Sequence, residues 1–344
     1  MSPGFCSIST VAPRPIREEV SPSRREFLRL AGVGAVGLVA SVLPGRLMAF
    51  TAQQEKQATT ITSDMVAKMR ASGATAVLKT EKLRDLVYVI TGSGGNVAVL
   101  NGPDGKVMVD SGFGTSEKQF RTELASIGNE PLKLLINTHW HFDHTDGNQW
   151  VHKAGATILA QENTRLRLST PQDIAAFHLH FDPSPADALP QQTFLEQSKL
   201  YLNGESVALE HYRPAHTDSD IFIHFQHANV FHAGDTFFAG RYPMIDASTG
   251  GSIDGMIAAA DRTLSVVDAA TKIIPGHGPI SDRHGFQEYR DMLAEVRARV
   301  GKLKQQGKTL EETVASKPTA DLDAKWGQGN IAPDFFVTLV YTTI

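Results

Sequence analysis

Three histidines and an aspartate fall within one short run, His139-Trp140-His141-Phe142-Asp143-His144. Imidazole nitrogens and carboxylate oxygens are the donors that divalent transition metals select, so the run reads as the nucleus of a metal site. His139 and His141 are two residues apart, and in an extended stretch such side chains point the same way. Three later fragments each add one residue of the same kind: Pro214-Ala215-His216-Thr217, Ala233-Gly234-Asp235-Thr236 and Pro275-Gly276-His277-Gly278-Pro279. A lone His216 or His277 has an ordinary explanation as a buried or surface histidine, and Asp235 could cap a helix. The four fragments together, in this order, are far more specific than any one of them. The other histidines (His152, His178, His180, His211, His224, His227, His232, His284) have no such setting and read as structural or surface residues.

These fragments need elements to hold them. Apolar runs separated by Gly, Asn and Pro predict strands over 86–90, 96–100 and 106–110, with turns at Gly92-Ser93-Gly94-Gly95 and Asn101-Gly102-Pro103-Asp104-Gly105. A helix is expected over 117–127, ended by Gly128-Asn129, then buried strands over 132–137 and 156–160. The proline-bearing segment 165–195 reads as a loop or short helix lying over something else. Strands resume over 206–209, 220–225 and 230–233, and another ends at Ile274. Helices are expected over 253–269, 285–304, 310–315 and 333–342. Two halves of strands followed by helices imply sheets packed face to face with helices outside. The glycines at 92–95 predict a mobile flap over the site, and segment 165–195 a second loop that selects substrate. Trp140, Phe142, Phe237, Phe238 and Tyr242 stand beside the candidate ligands, several of them as expected core residues.

The composition is that of an ordinary globular chain: 344 residues, 41% hydrophobic and 20% charged, with a formal net charge of −4. That balance argues against nucleic-acid binding. Cys6 is the single cysteine, which excludes an intramolecular disulfide and a site of several thiolates. Ser23-Arg24-Arg25-Glu26-Phe27-Leu28-Arg29, the uncharged run Leu30–Leu43 and the small residues Ala49 and Ala52 follow the order of a twin-arginine export signal. The expected organisation is a signal peptide over 1–49, a leader with a short helix over 50–80, and one domain over 81–344. Its partners would be the twin-arginine export machinery and a small-molecule substrate. Its destination would be the periplasm, with a membrane contact only if the signal stays uncleaved.

His-x-His-x-Asp-His with His216, Asp235 and His277 resembles the metallo-β-lactamase-fold hydrolases, over about residues 85–300. The resemblance implies an α/β fold, a four-layer αβ/βα sandwich with metals in a groove at one edge. It implies two zinc ions per chain, with iron or manganese as alternatives. One ion would be held by His139, His141 and His216, the second by Asp143, His144 and His277, with Asp235 bridging them. Asp143 would also be catalytic, orienting the attacking water and taking a proton. Asp235 stands where cysteine-containing β-lactamases have a thiolate, and Phe238 where their main branch has a substrate-binding lysine, with Arg241 close by.

The activity implied is cleavage of a carbonyl ester, lactone or amide, with β-lactam hydrolysis as a secondary activity. An iron-dependent persulfide dioxygenase, a glyoxalase II-like thioesterase and a non-catalytic periplasmic metal-binding protein are the alternatives. Metal content and turnover separate them.

Overall fold

The structure is a computed structural model that describes residues 65–344. The export signal expected over 1–49 lies outside the described residues. A helix, α1, covers 65–73. Strands β1 (Lys79–Lys82), β2 (Val87–Thr91), β3 (Val97–Leu100) and β4 (Lys106–Val109) then form an antiparallel meander. Helix α2 (Glu117–Ile127) leads to β5 (Leu132–Ile136), parallel to β4. Short helices α3 (Phe142–Thr145) and α4 (Asn148–Lys153) precede β6 (Thr157–Gln161), which runs parallel to β5. Helix α5 (Glu162–Leu168), the hairpin β7 (Gln172–Ile174) and β8 (Leu179–Phe181), and β9 (Gln192–Phe194) complete this half. The first sheet has the order β1-β2-β3-β4-β5-β6-β9.

The second sheet has the order β10-β11-β12-β13-β14, with β10 (Gln197–Leu202), β11 (Glu205–His211), β12 (Ile221–Phe225), β13 (Val230–His232) and β14 (Lys272–Ile274). Helix α6 (Ile253–Leu264) crosses over to make β14 parallel to β13. Helices α7 (Arg283–Gln305), α8 (Leu310–Ala315), α9 (Asp323–Trp326) and α10 (Pro333–Thr343) follow.

Side-chain alternation sets the layers. In β3, Ala98 and Leu100 face the second sheet, meeting Leu209, Ile223 and Phe225 in one core. Val97 and Val99 of the same strand face outward, where Phe120 of α2 and Trp150 of α4 cover them. Phe222 and Phe231 on the outer face of the second sheet pack under Met256, Leu293 and Phe336 from α6, α7 and α10. Three apolar interfaces stack four layers, helix, sheet, sheet and helix, as the sequence implies.

The expected helices 117–127 and 310–315 coincide with α2 and α8. Segment 165–195 is more structured than expected. It contains part of α5, the β7–β8 hairpin and β9, which extends the first sheet. Leu179 and Phe181 of the hairpin pack on Trp140, together with Val66 of α1. The strand β10 was not foreseen, although Asn203-Gly204 signals its hairpin. Both residues have positive φ, 55° and 70°, as the tight turn into β11 requires.

The loop carrying His216 is braced by α6. Ser252 caps that helix, and its amide donates to the Ala215 carbonyl at 2.9 Å. Gly255 lets the helix lie directly on the loop, since a Cβ there would collide with the Pro214 carbonyl oxygen. Gly255→Ala is therefore expected to destabilise the fold by about 1–3 kcal/mol through overpacking. Urea unfolding of the variant against the parent chain measures this, and an unchanged midpoint would refute the close-packing argument.

Candidate metal centre

All the residues singled out above meet at one end of the sandwich. His139, His141, Asp143 and His144 occupy the loop after β5 and the short helix α3. His216 lies in the loop between β11 and β12, Asp235 in the turn after β13, and His277 in the turn after β14. His139, His141, His216 and Asp235 each offer one ligand atom, all within 4.8 Å of one another; Asp143, His144 and His277 do the same. Asp235 lies between the groups. Its Oδ1 is 3.1 Å from His144 Nε2, and its Oδ2 is 3.4 Å from His277 Nε2 and 3.6 Å from His216 Nε2.

The outer hydrogen bonds fix the direction of each ring. His216 Nδ1 donates to the Met244 carbonyl at 2.9 Å, leaving a lone pair on Nε2. His141 Nε2 lies 3.2 Å from Asp246 Oδ2, leaving a lone pair on Nδ1. Thr138 Oγ1 gives its proton to Asp110 Oδ2 at 2.7 Å and accepts from His139 Nδ1 at 3.0 Å. His139 Nε2 then points inward, buried and without a hydrogen-bond partner. Two of these inward nitrogens, His141 Nδ1 and His216 Nε2, face each other at 2.9 Å. With both rings neutral these nitrogens are two acceptors, which a shared cation would join.

The second group demands positive charge for a different reason. Burial would lower the His277 pKa, but Asp235 and Asp143 outweigh it and raise it to about 9. His144 is raised likewise, against burial, by Asp235, Asp110 and Asp143. In the first group burial, followed by His141, takes His216 down to about 4 and holds it as a neutral donor. Four carboxylates touch ring nitrogens: Asp110 on His144, Asp143 on His277, Asp235 on His144 and Asp246 on His141. Imidazoles with this much carboxylate fit two divalent ions, which would replace the protons that the carboxylates hold on His144 and His277.

Asp110, Thr138 and Asp246 were not singled out from the sequence. Asp110 ends β4 with φ 64°, a left-handed conformation that Asp tolerates better than most residues. From there its carboxylate accepts from Thr138 N and Oγ1 and from His144 Nδ1, each at 2.7 Å. Val109-Asp110-Ser111-Gly112 at a strand end was the available signal.

The expected mobile flap is instead locked against the ligands. Gly95 N donates to the Asp143 carbonyl at 3.0 Å. A Cβ on Gly94 or Gly95 would strike the Asp143 backbone or the His144 ring. These glycines serve close approach, not mobility. Of the flanking aromatics, Phe237 and Tyr242 belong to the core and Trp140 is covered by the lid hairpin. Phe238 stacks on His277, ring centroids 5.4 Å apart at 21°. Arg241 runs its stem beside Gly329.

The sequence profile of the metallo-beta-lactamase superfamily matches residues 90–290, which contain every one of these donors. The chain belongs to that superfamily. A probable metallo-hydrolase of Methanocaldococcus jannaschii is 27% identical over 187 residues, covering 52% of this chain and 86% of that protein. Among solved structures, the stereoselective inverting sec-alkylsulfatase of Pseudomonas sp. superposes with a TM-score of 0.61 at 17% identity, over 77% of this chain and 50% of that one. This chain thus spans about half of the alkylsulfatase. A metallo-β-lactamase from Pontibacter korlensis gives a TM-score of 0.52 at 18% identity, over 63% and 99% of the two chains. These structural likenesses share the superfamily fold, and the donor set is that of a metal-dependent hydrolase centre.

Gly276 carries a prediction. A Cβ there would collide with Asp235 Oδ1 and the Gly234 carbonyl group. Gly276→Ala is expected to displace that carboxylate and lower bound metal per chain in a protein that keeps its far-ultraviolet circular dichroism. Metal content measured by mass spectrometry at the parent value would refute it.

Proposed function

We propose that this chain is an exported dinuclear zinc hydrolase acting on an uncharged carbonyl ester, lactone or amide, with β-lactams as poorer substrates. The observation that carries the reading is the convergence of ring lone pairs and carboxylates into two adjoining donor groups. His139, His141 and His216 would hold one ion and Asp143, His144 and His277 the other, with Asp235 shared in the place of a thiolate. Bound zinc would lower the pKa of water and polarise the electrophile.

The chain's own groups supply direction and proton transfer. Exposure is one-sided: Asp143 and His277 are 15% and 23% exposed, while His139, His141 and His216 are buried. A substrate therefore meets the Asp143 and His277 side first. Burial pushes the Asp143 carboxyl up, but His144 and His277 outweigh it and bring it to about 2. It is a carboxylate at neutral pH, able to take the proton of an attacking water and pass it to the leaving group.

Substrate choice follows from Phe238. It stands where the resemblance puts a substrate-binding lysine, and its ring is buried in the core against His277. Without a cation at that position an uncharged substrate is favoured. Periplasmic delivery through the twin-arginine route rests on the arginine pair and the uncharged run of the sequence. Among the described residues no helix is long and apolar enough to cross a membrane.

The test is zinc-loaded protein assayed with an aryl ester, a lactone and a chromogenic cephalosporin, each with a chelator control. Chelator-sensitive turnover of the ester or lactone above that of the cephalosporin is expected. Two bound zinc ions with no turnover of any of the three would favour the non-catalytic reading. One bound iron with oxygen uptake on a persulfide would favour the dioxygenase. Asp235→Ala is expected to lower metal stoichiometry and turnover together, and unchanged values for both would sink the shared-ligand role.

A further inference from the structure

Asp246 sits in the loop before α6 with its side chain fully buried. Its two oxygens do different things. Oδ1 caps the turn Ala247–Thr249, accepting from Ser248 N at 3.0 Å and from the Ser248 hydroxyl. A capping role needs no more than this. Oδ2 instead lies 3.2 Å from His141 Nε2 and accepts from Thr249 Oγ1 at 2.7 Å. The backbone of the same residue holds His216, since Asp246 N donates to the His216 carbonyl at 2.9 Å. One residue thus grips both members of the pair whose nitrogens face each other at 2.9 Å. Gly251 closes the loop onto this contact: its amide donates to the Asp246 carbonyl at 2.9 Å. A Cβ on Gly251 would strike the His216 and Asp246 carbonyl oxygens.

His141 is also the odd ring of its group. His139 and His216 turn Nε2 inward, whereas His141 presents Nδ1. A proton on Nε2 is the usual form of a neutral histidine, and the Asp246 carboxylate on that nitrogen holds the ring in it and fixes the direction in which Nδ1 points. Asp110 plays the matching part in the other group, accepting from His144 Nδ1.

We infer that Asp246 is the positioning residue of the His139, His141 and His216 group, fixing His141 as an Nδ1 donor and supplying negative charge to that one ion. The inference rests on the reading that these three histidines share an ion. Asp246→Asn keeps the size and the capping oxygen but removes the charge, and turns an amide NH2 toward His141 Nε2.

The measurement is competitive titration of Zn²⁺ with a chromogenic chelator, on the parent chain and on Asp246→Asn. It is accompanied by ¹⁵N-histidine NMR of the loaded proteins and thermal unfolding of the metal-free ones. Two equivalents are expected to bind the parent chain. In the variant the affinity of one ion should fall roughly 10–100-fold while the other is held as before. The resonance of the ring with a metallated Nδ1 and a protonated Nε2 should be lost or shifted. Parent protein binding one equivalent would overturn the dinuclear reading and leave the role of Asp246 to the variant's effect on that ion; parent protein binding none would overturn the shared-ion reading itself. Two equivalents in the parent, with both affinities and the NMR signature unchanged in the variant and only the metal-free melting temperature lowered, would make Asp246 a cap and nothing more. If Asp246→Asn does not fold, Thr249→Val removes the donor that steadies Oδ2 and leaves the cap intact. A smaller loss confined to one ion is then expected, and two unchanged affinities overturn the inference.

Discussion

His141 Nδ1 and His216 Nε2 stand 2.9 Å apart, turned toward each other. In water the two rings would separate or rotate. Here each is held by its far nitrogen, one on the Asp246 carboxylate and one on the Met244 carbonyl. The two histidines come from different sheets, the first from the loop after β5 and the second from the loop before β12. Bringing them together requires that the sheet ends be tied, and the tie is visible: Ile221 N donates to the Thr138 carbonyl at 2.9 Å. The sandwich therefore holds two ring nitrogens from different sheets at a spacing that a shared cation would use. Metal binding there would be linked to folding, because the two rings meet only once both sheets are in place.

The surroundings of the site follow from that constraint. Buried carboxylates destabilise a fold unless hydrogen bonds satisfy them. Asp110 accepts three such bonds and takes a left-handed backbone to reach them. Gly276 leaves the space in which the Asp235 carboxylate sits, and Gly94 and Gly95 let the β2–β3 turn lie against the Asp143 and His144 loop. The lid hairpin and α1 cover the buried side: Val66 and Phe181 pack around Trp140, and Arg70 pairs with Asp146 at 2.8 Å. Access is left to the Asp143 and His277 side.

The sequence by itself determined a great deal. The His-x-His-x-Asp-His run, His216, Asp235 and His277 were legible because metal donors at strand ends are short, local patterns. The strand and helix alternation was legible because each core face repeats with its own period, as in β3, α2 and α8. The family resemblance lay in the same residues.

Tertiary structure decided what local pattern does not carry. Asp246 lies 105 residues from His141, and no spacing rule joins them. The tautomer of each ring depends on which group meets its far nitrogen, and those groups come from other loops. The glycines at 92–95 read as freedom of motion in sequence, yet they are places where another backbone or the His144 ring comes too close for a Cβ. Phe238 read as core or pocket, and only packing laid its ring on His277. A one-dimensional pattern records which chemistry a chain can do; the contacts that orient each nitrogen, and the side left open to solvent, exist only once the two sheets have closed on each other.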